Sequence, residues 1–109
     1  MNTVTLIGNL SKDVEVRWST GEKQTAIGRF SLAVNDGYGD RQKTSFINIV
    51  TFGKTAENCE KYLEKGSKCA VRGHIQTGSY EGKNGKVYTT DVIADEVEFL
   101  GAKKSETQW

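Results

Sequence analysis

The stretch Ser45-Phe46-Ile47-Asn48-Ile49-Val50-Thr51-Phe52-Gly53-Lys54 alternates, and both of its alternating rows are largely apolar. Ile47, Ile49 and Thr51 form one row, β-branched side chains suited to a buried strand face. Phe46, Asn48, Val50 and Phe52 form the other, with a ring near each end and an amide between. A strand of a half-solvated antiparallel sheet carries one apolar row and one polar row. This stretch is therefore either buried on both faces or holds its second row toward a flat partner. Nucleobases are such partners, because every base has a π-face that stacks on Phe, Tyr or Trp whatever its identity. The competing reading is that Phe46 and Phe52 cap the interior or bury against a helix.

Upstream, Thr3 to Leu10 reads as a strand with Val4, Leu6 and Leu10 on one face. Gly8 interrupts it, as a glycine does where a barrel turns a corner. Glu15-Val16-Arg17-Trp18 reads as a short continuation, and Ser19 to Glu22 as a turn. Thr25 to Asn35 alternates again, Phe30, Leu32 and Val34 against Arg29, Ser31 and Ala33. Asp36-Gly37-Tyr38-Gly39-Asp40 is a loop whose aromatic has no core to enter.

Downstream, the period changes. Ala56, Cys59 and Leu63 recur at three and four over Lys54–Lys65, which predicts an amphipathic helix with a Glu57–Lys61 pair and Gly66 as its stop. Lys68 to Ser79 is a strand with Cys69, Val71 and Ile75 in phase. Tyr80 to Lys86 is a hairpin connection, with Asn84-Gly85 suited to a tight turn. Val87 to Leu100 supplies the last strand region, broken near Asp95-Glu96. Strand, strand, strand, helix, strand, strand is the order of an all-β, five-stranded OB-fold barrel, with one helix between strands 3 and 4 and a long strand 4–5 hairpin. Residues 1–100 read as that domain and 101–109 as a flexible polar tail.

A chain of 109 residues supports one core. No apolar run approaches a membrane span, and the N-terminus has no secretory pattern, so a cytoplasmic protein is expected. The formal net charge is +1, but it is unevenly spread. Residues 41–90 hold nine Lys or Arg against four Glu, while residues 91–109 hold two Lys against five acids. The local field over the central half suits a polyanion. Cys59 and Cys69 have no CxxC spacing and His74 is the only histidine, which indicates neither a metal site, a cofactor nor a disulfide framework.

No catalytic set stands out. His74 reads as a strand-surface residue rather than a general base. Gly53-Lys54-Thr55 opens a helix after a strand, but GxxxxGK[ST] needs glycine where Asn48 stands, and residues 47–52 are an apolar strand. The aromatics are the informative signal. Trp18, Tyr38, Phe46, Phe52, Tyr80 and Tyr88 fall in loops or on the non-core parity, and cations interleave with them. Arg41 and Lys43 precede Phe46, Lys54 follows Phe52, Arg72 lies on the next strand, and Lys83 and Lys86 flank the hairpin. A single-strand groove needs that interleaving, cations along the phosphates and rings under the bases.

Over residues 1 to about 100 the chain resembles the bacterial-type single-stranded DNA-binding protein family. The resemblance is carried by Met1–Leu10, Asp13–Trp18, Phe30–Asn35, Phe52–Glu57, Tyr62–Ser67 and Tyr88–Val92, in that order and spacing. It implies an OB-fold that protects single-stranded DNA in replication, recombination and repair, as a homotetramer in a bacterial or phage-infected cytoplasm. By position it implies base stacking for Tyr38, Phe46, Phe52 and Tyr80, with Trp18 where the family often has Tyr. Arg17, Arg41, Lys54, Lys65 and Arg72 match or adjoin its phosphate-binding cations. Its first strand, here carrying Val4, Leu6, Gly8 and Leu10, would pair with a second subunit's copy.

The chain departs from the family at Gln76-Thr77-Gly78-Ser79, where basic residues are usual, and at Val14, where proline is usual. It also stops at Lys103–Trp109 without the acidic, Phe-ending tip that recruits replication and repair enzymes. It reads as a truncated chain or a short phage, plasmid or second chromosomal version, and recruitment through a tip is not expected. Two other binding readings compete: an OB domain that docks proteins, and an RNA-binding OB protein of cold-shock type.

Overall fold

The computed structural model describes residues 1–21, 24–37 and 39–100. The expected tail and Tyr38 lie outside the described residues. Strands β1 (Val4–Leu10), β2 (Glu15–Trp18) and β3 (Ala26–Asp36) come first. A single 3₁₀ turn (Gly39–Arg41) then leads to β4 (Lys43–Phe52), α1 (Gly53–Tyr62), β5 (Lys68–Gly82) and β6 (Gly85–Phe99). They form one sheet in the order β1-β5-β6-β4-β3-β2, and an added β1–β3 pairing at Asn9–Ala33 and Leu10–Leu32 closes five of the strands into a ring. Gly8 sits just before that closure, buried, where a Cβ would lie 2.3 Å from the Ala33 carbonyl oxygen. Only a residue without a side chain lets β1 approach β3 so closely.

Glu15–Trp18 does not continue β1. It pairs antiparallel with β3, Glu15 against Arg29 and Trp18 against Ala26, and adds a sixth strand outside the ring. β4 is bound on one side by β3 over ten residue pairs and on the other by β6 over Ile49–Val92 and Val50–Ile93. The inward row Ile49 and Thr51 is fully buried, as the alternation predicts. Leu10, Phe30, Leu32, Cys69, Val71, Val92 and Ala94 complete the ring interior with Cys59 and Leu63 from the helix. Phe99, in core phase, lies half-buried at that end, its ring 5.7 Å from that of Tyr62.

α1 closes one end of the ring. Its apolar positions Ala56 and Cys59 are buried, but the helix ends at Tyr62 rather than running on to Lys65. Leu63 turns extended (φ −112°, ψ 144°) so that its side chain enters the core. Ser67 then takes up backbone groups that the helix leaves over: the Glu64 N–H donates to its Oγ at 3.0 Å, and its own N–H donates to the Glu64 carbonyl. Gly66, with φ +95°, serves that turn rather than capping the helix directly. Lys61 does not pair with Glu57; its Nζ lies 5.2 Å from the centroid of the Tyr62 ring. Burial pushes the Cys59 thiol up to about 12, with a smaller contribution from Cys69, and the Cys69 thiol up to about 11. Both cysteines are free and sit as small apolar fillers.

β5 and β6 are longer than their sequence signals. Tyr80–Gly82 and Gly85–Lys86 belong to the strands, and Gly82 pairs with Gly85. The turn is therefore Lys83-Asn84, with Gly85 (φ +121°) as the first residue of β6 rather than inside the turn. The expected break near Asp95-Glu96 is a bulge. Arg72 faces Glu96 and Gly73 faces Ala94, so Asp95 is the extra residue. That extra residue keeps both Ala94 and Val97 turned inward on a strand that continues to Phe99. Asn2, just before β1, ties the chain to β5: its Nδ2 donates to the Ile75 carbonyl at 2.8 Å, and the Ile75 N–H donates to its Oδ1 at 3.0 Å. Among the described residues no helix is long and apolar enough to cross a membrane.

Candidate nucleic-acid interface

Residues directly opposite each other in a ladder share a face, so the register fixes what the outer surface presents. Arg17 faces Ile27 and Ile27 faces Phe52, which makes one outer row near α1. The next row is Glu15, Arg29, Val50 and Ile93, with His74 beyond Ile93. Ser31 and Asn48 follow, then Ala33 and Phe46. On the arm formed by β5 and β6, Tyr80 faces Val87. Tyr80 is an even number of residues from His74, so it belongs to the same outer face.

Phe46, Phe52 and Tyr80 thus lie on one continuous face, 65%, 46% and 58% exposed, and none is interior filler. Phe46 and Phe52 are six residues apart on one strand, roughly 20 Å, so each ring can stack only its own base. The position of Phe52 follows from a local break. It is the residue before α1, where Ser, Thr, Asp or Asn would cap the helix, and it makes no side-chain cap bond. Gly53 follows at φ +64°, a left-handed conformation that turns the chain sharply from strand to helix. The ring is left at that corner, facing out.

The expected cations are all exposed, but they are not all together. Arg17 shares the Phe52 row, and Lys54 follows Gly53 in the first turn of α1. Arg41 lies in the 3₁₀ turn and Lys43 at the start of β4, on the parity opposite Phe46. Lys83 is in the arm's turn; Lys86 faces Glu81 on the side of the arm opposite Tyr80. The Lys65 N–H donates to Asp13 Oδ1 at 2.7 Å, which holds that loop against the β1–β2 connection. Arg72 is bound to Glu96 in an exposed ion pair, which commits part of its charge.

Other expected residues stand apart from this face. Trp18, 53% exposed, faces Ala26 and therefore points to the side of β2 opposite Arg17. Tyr88, 76% exposed, faces Ser79 on the other side of the arm from Tyr80. The side chains of Val4, Leu6 and Leu10 turn inward with Gly8, and Leu10 is buried. What β1 offers outward is Thr5, Ile7 and Asn9, together with a backbone edge over Val4–Gly8 that β3 does not take up. His74 lies on the strand surface, its Nδ1 3.3 Å from Asp95 Oδ2.

Sequence reasoning missed Arg29. Alternation puts it on the outer row of β3, but only the β3–β4 register reveals that it stands opposite Val50, between Phe46 and Phe52 and nearer Phe52. The resulting surface has rings spaced along a strand and cations at both margins and in the middle. It can stack bases and hold phosphates.

Comparison with known proteins gives the same direction. The chain is 46% identical over 101 residues to a single-stranded DNA-binding protein of Clostridium perfringens, covering 92% of this chain and 66% of that one. It is 44% identical over 109 residues to single-stranded DNA-binding protein 1 of Staphylococcus aureus, covering 96% and 69%. A single-stranded DNA-binding protein of Bacillus cereus is 44% identical over 104 residues, covering 92% and 60%. The chain therefore spans about two thirds of the length of these relatives. The profile of the single-strand binding protein family matches residues 1–100. With the ring of strands closed by one helix, as in an OB-fold, this places the chain in the single-strand binding protein family.

Proposed function

We propose that this protein binds single-stranded DNA without strong sequence dependence, by stacking bases on Phe46, Phe52, Tyr80 and Tyr38 and holding phosphates with Arg17, Lys54 and the cations around the arm and the 3₁₀ turn. The observation that supports it most is the exposure of Phe46 and Phe52 on one outer face, with Arg17 in the row of Phe52 and Arg29 in the next. An exposed ring beside a cation gains little in the free protein, whereas base stacking is worth roughly 1–3 kcal/mol per ring. Residues 1–100 act as one binding domain. The role is non-enzymatic and belongs to replication, recombination and repair.

Assembly follows from β1. Its backbone edge over Val4–Gly8, unpaired among the described residues, with the exposed Ile7 (53%), suits antiparallel pairing with a second copy, and dimers so formed would associate to a homotetramer. The inward side chains of Val4, Leu6 and Leu10 support that edge from beneath. Titration with oligo-dT at several salt concentrations tests the binding reading, with oligo-rU as comparison. Affinity should fall steeply with salt, as phosphate neutralisation requires. Salt-independent binding, or no binding to oligo-dT, would refute it. Light scattering gives the assembly; a monomer at micromolar concentration would refute pairing through β1.

A further inference from the structure

The parallel pairing of β4 with β6 is brief. Ile49 faces Val92 and Val50 faces Ile93, and one residue further along, at Asn48 and Asp91, the strands part. A recess of about 210 Å³ opens there, lined by Lys12, Glu15, Arg29, Asn48, Val50 and Asp91 among others. Val50, 5% exposed, is its apolar floor. Asn48 lies on the same outer row as Phe46 and Phe52, so the recess sits between two stacking rings. Glu15 and Arg29 are cross-strand neighbours. Yet among the described residues the side chains of Lys12, Glu15, Arg29, Asn48 and Asp91 make no hydrogen bond or ion pair. Donors and acceptors stand uncommitted around one small cavity.

Resting on the single-strand reading above, we infer that this recess reads the edge of one base, and that the base it favours is guanine. An ionised carboxylate only accepts hydrogen bonds, through two oxygens, and a guanidinium only donates, through a rigid fork. Guanine presents N1–H and N2–H side by side as a donor pair, and O6 and N7 side by side as an acceptor pair. Asp91 can take the first pair while Arg29 takes the second, so one base satisfies both groups with two-point contacts. Thymine has a single donor between its carbonyls and gives Asp91 only one contact. Cytosine and adenine each offer one exocyclic amine and lack the adjacent donor pair. Asn48, carrying both a donor and an acceptor, can meet whichever edge atom is left over. Stacking on Phe46 and Phe52 stays sequence-tolerant; the recess adds a preference at one nucleotide.

The test is competition among dT oligomers that carry one central dG, dA, dC or deoxyinosine, titrated at fixed salt. A single dG avoids self-association of G-rich strands. The dG oligomer should bind about fivefold tighter than all-dT, the low end of what one good bidentate pair contributes. Deoxyinosine, which lacks the N2 amine, should lose most of that gain. In Asp91→Ala and in Arg29→Gln the dG-to-dT affinity ratio should fall to about one, whatever happens to absolute affinity. A ratio within twofold of one in the wild-type protein, with all-dT still bound, overturns the guanine reading alone and leaves the proposed function standing. A dG preference that survives both substitutions also overturns it. Failure to bind all-dT would instead overturn the proposed function, and this inference with it.

Discussion

Replacing Phe46 or Phe52 with alanine separates a binding ring from a structural one, because the two roles predict different losses. Phe46 is 65% exposed, so only about a third of its ring surface is already covered in the free protein. Full burial of a phenylalanine contributes roughly 1.5–3 kcal/mol, so Phe46→Ala should cost about 0.5–1 kcal/mol of stability. Phe52, 46% exposed, should cost about 1–1.5 kcal/mol on the same reckoning. A core ring such as Phe30, 2% exposed, would cost about 3–5 kcal/mol with its cavity. Binding should suffer more than folding: about 1–3 kcal/mol per ring, roughly fivefold to 150-fold in affinity.

The two rings stand roughly 20 Å apart along β4 and share no contact, so their effects should add to within about 0.5 kcal/mol. Anisotropy of a labelled oligo-dT long enough to cover both rings measures the binding loss, and urea unfolding measures stability. The double variant should then lose close to the product of the single factors, with its urea midpoint only modestly lowered. If both single variants bind within twofold of the wild type, the rings do not stack bases. If either destabilises on the scale of Phe30, it is interior packing and the outward assignment is wrong.

Further expectations follow from the same geometry. Lys54→Ala should lower the slope of log affinity against log salt by about 0.7, one phosphate's share on a single strand; Lys61→Ala, whose charge lies over the Tyr62 ring, should leave it unchanged. Trp18→Ala should alter oligo-dT affinity less than twofold, because Trp18 faces away from the Arg17–Phe52 row; a tenfold loss would mean that the strand wraps around β2. Gly8→Ala should destabilise by about 1–3 kcal/mol, since its Cβ would press on the Ala33 carbonyl, and an unchanged urea midpoint would contradict closure of the ring there. Cys59 and Cys69 have folded values near 12 and 11 against an ordinary 9.0. Being acids held neutral by the fold, they give stability that is complete below about pH 9 and lost as pH rises toward those values, on the order of 1 kcal/mol per thiol by pH 10. Urea midpoints from pH 8 to 10 should thus fall more steeply in the wild type than in Cys59→Ala.

The order of elements was legible because each carries its own period. Alternation over residues 45–54 and 25–35 marks strands, and the three-and-four spacing of Ala56, Cys59 and Leu63 marks a helix. Limits and partners were less legible. Leu63 continues the helical spacing, so nothing local shows that it leaves the helix to fill the core. Glu15–Trp18 reads as a sequel to β1 because it follows closely; pairing with β3 is decided by burial of Ala26 and Gly28, a tertiary matter. Tyr80 and Gly82 read as loop because turn-forming residues crowd that stretch, yet the ladder with β6 runs on to the Lys83-Asn84 turn.

The candidate site shows itself in the sequence where local rules fail. Phe52 occupies a helix cap that favours a small polar residue, and Phe46 occupies an outward position that favours a polar one. Each choice costs solubility or capping and returns less to the free fold than a buried ring would. Sequences are usually consistent from local propensity to packing, and the exceptions collect at functional sites. Arg29 obeys every local rule for an exposed strand position, so nothing distinguishes it from a solvated cation. The role proposed for it rests only on its neighbours in the register, Glu15 on one side and Val50 on the other. Rings that violate a rule are visible to one-dimensional reading; a cation that violates none is found only once strand pairing is known. For that reason the guanine test bears on the part of the surface the sequence leaves silent, and the phenylalanine test on the part it declares.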